Sequence, residues 1–173
     1  MNNNMVTDNL DQFLDVVDES DMVIGSATRR ECNSNPNLIH RAAYALIFSS
    51  DGRLFLHKRS NTKDTCPSLW SISVAGHVDQ GETYEQTIRR EIIEEIGIDL
   101  KVEYLEKYLL RHINESEFSA VFRAYSDGPF KLNKKEIEKG GFFRLDVIRK
   151  KMWGILTPFS QMVLTNLTVR GLI

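Results

Sequence analysis

The chain is poor in the features that place a protein outside the cell, in a membrane or on a polynucleotide. It holds two cysteines, Cys32 and Cys66. They lie far apart, with no Cys or His at zinc-ligand spacing, so a disulfide scaffold and a structural zinc site are both set aside and reduced cytosolic thiols are expected. The start, Met1-Asn-Asn-Asn-Met-Val-Thr-Asp8, lacks the basic residues and apolar core of a secretory signal, and no apolar run approaches membrane-spanning length. A cytoplasmic location without a membrane partner is therefore expected. Lys and Arg number 22 against 24 Asp and Glu, a net charge of −2, and no basic stripe marks a polynucleotide footprint. The mixed run from Lys134 to Lys139 reads as a solvated face. There is no internal repeat, low-complexity tract or interdomain linker. The remainder is ordinary for a globular domain, with 42% hydrophobic and 27% charged residues in a chain of 173. Residues 1–10 are polar and expected to fray, leaving 11–173 as one domain.

Local patterns give a mixture of strands and helices. Phe13–Val17 and Met22–Ile24 flank the turn Asp18-Glu-Ser-Asp21 and read as a hairpin. Ala42–Phe48 and Leu54–His57 flank Ser49-Ser-Asp-Gly52 and read as another. Ser60–Pro67 is a polar loop, Trp70–Val74 a short strand, and Val102–Leu110, Phe118–Tyr125 and Phe142-Phe143 are further strands. Asp146 is placed to cap a helix through Met152, and Thr157-Pro158 to open a last one.

The richest stretch is Gly76 to Ile98. It fits G-x5-E-x7-R-E-U-x-E-E-x-G-U, with U aliphatic, at every position. Gly76 to Glu82 reads as a loop punctuated by Gly76 and Gly81. Thr83 with Gln86 forms a capping box, Tyr84, Ile88, Ile92 and Ile96 form one apolar stripe, and Gly97 is placed to end the helix in a left-handed conformation. Glu91, Glu94 and Glu95 then stand at i, i+3 and i+4, so their carboxylates converge. Carboxylates that close repel unless a cation joins them, and hard oxygen donors select Mg²⁺, with Mn²⁺ as a substitute. Such a site suits hydrolysis of a phosphoanhydride by an activated water. Arg90 can pair with Glu94 or reach back to Glu82, fixing carboxylate geometry. A solvated acidic face would be the plainer reading of E-x-x-E-E alone. Gly76, Glu82 and Gly97 in register tell against it.

This pattern is the signature of the Nudix hydrolases, which the chain resembles. The resemblance implies an α/β/α sandwich around a mixed β-sheet, with the helix of the signature packed on that sheet. It also implies a small-molecule diphosphate substrate, a Gly76 carbonyl completing a metal shell, and a tendency to form homodimers. Beyond the signature, the segments 14–25, His40-Arg41-Ala42, Leu56-His-Lys-Arg59-Ser-Asn-Thr-Lys63 and Leu69-Trp70 are similar to the Nudix branch related to isopentenyl-diphosphate isomerase. That resemblance makes Arg59 and Lys63 diphosphate-binding residues. It places Glu115 and Glu117 where the isomerase carries metal-binding and acid glutamates, against the alternative of solvated loop acids. Glu136 is another late acid of the kind from which family members draw an extra carboxylate.

The isomerase carries a reactive cysteine immediately before Gly-His, where this chain has Ala75. Alanine can neither give nor take a proton, and Cys66 lies in another loop, so hydrolysis is the expected activity. The alternatives are isomerisation, a non-catalytic nucleotide sensor, and RNA-end decapping. The sensor is opposed by the intact carboxylates and decapping by the absence of a basic surface signal. His77 beside the signature is not expected to be a ligand, because magnesium prefers oxygen. Trp70, Phe142, Phe143 and Trp153 are candidates for stacking on a nucleobase, with core packing the commoner role for such rings.

Overall fold

A computed structural model describes residues 8–173. In chain order the elements are β1 (Phe13–Val17), β2 (Val23–Thr28), α1 (Arg29–Cys32), β3 (Ile39–Phe48), β4 (Leu54–Arg59), β5 (Trp70–Ile72), β6 (Val74–His77), α2 (Tyr84–Ile96), β7 (Glu103–Arg111), β8 (Ser116–Tyr125), β9 (Ile137–Phe143), α3 (Leu145–Val147) and α4 (Pro158–Val169). α3 continues through a π-helical turn, Ile148–Met152, and a 3-10 turn, Trp153–Ile155.

The sheet is organised by β3. It runs parallel to β8 over its whole length and antiparallel to β1, β4 and β6. β7 extends the β8 side, while β5 and β9 both pair with β4. A strand with so many neighbours has both faces covered, which explains its near-continuous apolar sequence. Its alternation sends Ala42, Tyr44, Leu46 and Phe48 to one face and Ala43, Ala45 and Ile47 to the other. The first face is covered by Ile148, Met152 and the α4 residues Phe159, Val163, Leu164 and Leu167. The second is covered by Ile88, Ile92 and Ile96 of α2, each fully buried. The architecture is thus the expected α/β/α sandwich around a mixed sheet. Among the described residues, no helix is long and apolar enough to cross a membrane.

Three local expectations are corrected. The segment read as one strand, Trp70–Val74, is split between β5, paired with β4, and β6, paired with β3. Ser73 sits at the break, where its hydroxyl donates to the Phe55 carbonyl and accepts from the Ile47 amide. Asp146 is not a cap but lies in the first turn of α3, bound to Arg144 at 2.9 Å, and Arg144 holds the cap position without a side-chain bond to the helix backbone. Gly76 belongs to β6 rather than to a loop. The frayed segment expected at 1–10 falls partly on residues 1–7, outside the described residues. Asp8 is anchored by Arg29 and Lys63.

Candidate active site

α2 forms as its sequence dictates. The Thr83 hydroxyl accepts from the Gln86 amide and the Gln86 side chain accepts from the Thr83 amide, and Gly97 ends the helix at φ 74°, ψ 25°. With the isoleucine stripe buried on the sheet, Glu91, Glu94 and Glu95 are carried to the edge of a cavity of about 300 Å³. Gly76, Arg90, Arg59, Lys63, Glu115 and Glu117 line the same cavity, as does Glu136. Glu82 stands behind Arg90 and completes its fork. Arg90 Nε and Nη2 donate to the two Glu82 oxygens at 3.0 and 2.9 Å. Arg90 Nη1 donates to Glu91 Oε1 at 2.8 Å and lies 3.5 Å from Glu94 Oε2. Thr87 donates to Glu82 at 2.8 Å. One arginine therefore aligns the carboxylates of loop and helix, meeting both pairings expected for it.

The acids are held in a state that disfavours charge. Burial pushes the Glu91 carboxyl up to about 7 against the pull of Arg90, and burial with the neighbouring Glu91 charge raises Glu95 well above the usual range. Glu95 Oε2 is buried with no hydrogen-bond partner. The acids of β8 and its approach are not solvated loop groups. Glu117 is instead a strand residue with 2% exposure, pushed by burial to about 7, and it accepts from Tyr44 at 2.7 Å and from Ser119. Glu115 is half-buried, and burial with the Glu117 charge takes it to about 8.

The strand register creates a second group that the sequence did not announce. His40 faces Glu117 across the parallel β3–β8 pair, and β6 brings His77 opposite Ala42. One ligating atom from each of His40, His77 and Glu117 lies within 4.8 Å of the others. His40 Nε2 is buried, unpartnered, and 3.9 Å from Glu117 Oε2. His77, read alone as an unpromising ligand, thus has company. An imidazole-rich donor set differs chemically from the all-carboxylate set on α2 and suits borderline metals better than magnesium.

The other expected residues are placed as follows. Arg59 reaches the cavity but spends Nε and Nη2 on the Thr65 carbonyl, at 3.1 and 2.8 Å, which closes the loop 60–69 over the cavity. Lys63 pairs with Asp8 and Glu136. Cys66 is not remote, because the same loop sets it in the cavity wall alongside Ala75. The rings proposed for stacking are engaged elsewhere. Trp70 meets Phe143 edge-on at 5.3 Å, and Phe142 packs with Phe55 at 5.4 Å. Trp153 packs against the cluster under α4. Tyr44, His77 and Phe159 are the aromatic rings that line the cavity among the described residues.

These acids make a stability prediction. Glu91, Glu95, Glu115 and Glu117 retain protons when folded that the unfolded chain releases near 4.5. Their contribution is complete below that pH and is lost as pH rises through their folded values. His40 and His57, both buried, and the partly buried His77 act oppositely. Burial depresses them below 6.5, so they cost stability only beneath that pH, where the unfolded imidazoles take up protons. Between pH 6.5 and about 8 the carboxylates govern. In EDTA, Tm should fall by about 5 °C or more over that interval, and a divalent cation should restore it, because it binds the ionised acids. A flat Tm profile in EDTA would show that these acids are already ionised in the fold.

The sandwich, with a signature helix presenting carboxylates to a cation-bearing cavity, defines a phosphoanhydride-cleaving enzyme class. A family model described as the NUDIX domain matches residues 38–162. An uncharacterized Nudix hydrolase of Pseudomonas aeruginosa is 34% identical over 129 residues, covering 74% of this chain and 76% of that protein. Another from Nostoc is 40% identical over 116 residues, covering 66% and 68%. Among solved structures, DR0079 from Deinococcus radiodurans superposes with a TM-score of 0.79 at 25% identity, covering 90% of this chain and 98% of that one. A MutT Nudix hydrolase from Burkholderia pseudomallei gives 0.60 at 28% identity, covering 73% and 96%. The chain belongs to the Nudix family and to its hydrolases. Enzymes of this family use divalent metals.

Proposed function

We propose that the protein is a Mg²⁺-dependent hydrolase that cleaves a diphosphate linked to an organic moiety by in-line attack of water on phosphorus. The observation that carries this reading is the meeting, in one cavity, of Glu91, Glu94 and Glu95 with Arg59 and Lys63. The donor set fits the metal. Glu95 Oε2 is buried without a partner, and the Glu91 carboxyl packs so tightly on Gly76 that a Cβ there would lie 2.3 Å from its Cδ. Glu91, Glu94, Glu95 and the Gly76 carbonyl would hold the ion, with Glu115 and Glu117 as further oxygen donors on the opposite wall. Bound there, Mg²⁺ supplies charge neutralisation for the diphosphate and acidifies a water.

The chain's own residues do the rest. Arg90 and Glu82 hold the carboxylates in place, and Arg59 and Lys63 orient the diphosphate oxygens. A cavity glutamate takes the proton of the attacking water. One observation keeps isoprenoid-diphosphate isomerisation as a second reading. Cys66 supplies a thiol to the cavity although Ala75 does not. Burial raises that thiol above its ordinary value, so it is a poor nucleophile at neutral pH.

The test is product release across nucleoside diphosphates and triphosphates, sugar and dinucleotide conjugates, and isoprenoid diphosphates, with Mg²⁺ and with Mn²⁺. Hydrolysis of one class well above the others is expected. Isomerised isoprenoid with no released phosphate would replace the reading, and silence throughout would favour a sensor.

A further inference from the structure

The cation-bearing wall of the cavity already holds an anion, and the anion belongs to the protein. Asp8 reaches in from the N-terminal side with its side chain 3% exposed. Arg29 Nη2 forms an ion pair with Asp8 Oδ1 at 2.9 Å, Lys63 Nζ donates to the same oxygen, and the Asp64 amide donates to Oδ2 at 2.9 Å. One guanidinium nitrogen, an ammonium and a backbone N–H converging on paired oxygens form a donor set that serves a phosphate as well as a carboxylate. Arg29 spends its fork on Asp64, which accepts from Nε at 2.8 Å and from Nη2 at 3.2 Å, so the guanidinium is held in place with Nη2 beside Asp8. The competing charges favour exchange. With burial opposing them, Lys63 and Arg29 still hold the Asp8 carboxyl down at about 2, so it is a single negative charge at any working pH. A diphosphate brings more charge to the same donors.

The segment carrying Asp8 is fastened in a way that permits exchange. Residues 8–12 are tied by polar contacts. The Arg29 amide donates to the Gln12 carbonyl at 2.8 Å, the Arg30 amide donates to the Leu10 carbonyl at 3.1 Å, and Gln12 bonds to Asp79. The side chains of β3 from Ala42 to Phe48, by contrast, are buried and mostly apolar. Surface hydrogen bonds that can be re-formed with water resist opening far less than buried apolar contacts do.

We infer that Arg29, Lys63 and the Asp64 amide form a phosphate subsite of the cavity, that Asp8 occupies it as an internal surrogate, and that a substrate phosphate binds by displacing Asp8 and the segment behind it. The inference rests on the hydrolase reading only in taking the phosphate to be the substrate's. Arg29, which carries no motif of its own, becomes a specificity residue, and the N-terminal segment becomes a competitor that sets the threshold for anion entry.

The probe is inorganic pyrophosphate in EDTA, measured by titration calorimetry and so independent of turnover. Asp8→Asn should bind it about tenfold more tightly than the unaltered chain, a gain of about 1.4 kcal/mol, and adding Lys63→Gln should abolish that gain. Unchanged or weaker binding by a folded Asp8→Asn protein would make Asp8 a structural brace and overturn the proposal. Hydrogen exchange on the unaltered chain supplies a measurement that needs no variant. Saturating pyrophosphate should speed exchange across residues 8–12, and equal or slower exchange there would overturn the displacement. If no diphosphate is hydrolysed while these shifts appear, the subsite stands and the hydrolase reading falls. Hydrolysis without the shifts is the reverse.

Discussion

Glu94→Gln is expected to lower turnover by roughly 10²-fold or more while leaving the fold unchanged. The magnitude follows from the role proposed for it. Removing a group that merely orients a metal ligand commonly costs 10- to 100-fold, and Glu94 is proposed as a ligand. The separation from stability follows from position. Its side chain is 56% exposed, and its ion pair is with Arg90 at 3.5 Å, a surface i,i+4 contact worth about 0.3–0.5 kcal/mol at most. Arg90 keeps Glu82 and Glu91 without it. Turnover at saturating Mg²⁺, read beside circular dichroism and Tm, decides the matter, and wild-type turnover would remove Glu94 from the site. Its buried neighbour sharpens the contrast. Glu95→Gln removes a carboxyl whose charge is opposed by burial and by Glu91. It should therefore raise Tm at pH 8 in EDTA while reducing the stabilisation that Mg²⁺ provides. A single substitution that stabilises the metal-free fold and weakens its response to metal is hard to explain by a solvated acidic face.

What could be read in advance was local. The capping residues, isoleucine stripe and terminal Gly97 of α2 lie within one helix, where period and cap chemistry act over a few residues. The convergence of Glu91, Glu94 and Glu95 follows from that same period. Groups assembled by strand pairing were not readable, because register is set by contacts distant in sequence. Local pattern alone makes Glu117 a loop acid beside Asn114 and Glu115, and only the family resemblance points to it; its pairing with His40 across β3 and β8 carries it into the interior. His77 looked solitary until β6 was set against β3. Cys66 looked misplaced because nothing local shows that Arg59, by binding the Thr65 carbonyl, folds loop 60–69 over the cavity. Asp8 stood in a polar stretch expected to fray, and only the cations it meets reveal what holds it. Hydrophobic pattern and helix chemistry thus reported the sandwich and one wall of the site. The opposite wall depends on which strands lie side by side.

Gly76 unites the two walls and gives the second large effect. The sequence suggested a turn glycine, but Gly76 lies in β6, paired with Ala43, and is not among the glycines of positive φ. The backbone there would accept any residue, so the demand is one of space. An added Cβ would lie 2.3 Å from Glu91 Cδ and Oε1 and 2.6 Å from Cγ. Gly76→Ala must therefore push the Glu91 carboxyl aside. Because that carboxyl ends a flexible side chain, the fold should lose only about 1 kcal/mol. The displaced group also carries Arg90 Nη1 at 2.8 Å, so the alignment with Glu82 and Glu94 is disturbed with it. A misplacement of about 1 Å can cost 10²-fold in rate, and turnover should fall by about that factor with little change in Tm. The pairing of results is what tests the idea. Full activity would show that Glu91 is free to sit elsewhere. Global unfolding would show that Gly76 serves the sheet. Loss of rate in a stable protein, with weaker Mg²⁺ stabilisation, is the outcome expected if strand β6 and helix α2 form one metal-binding surface.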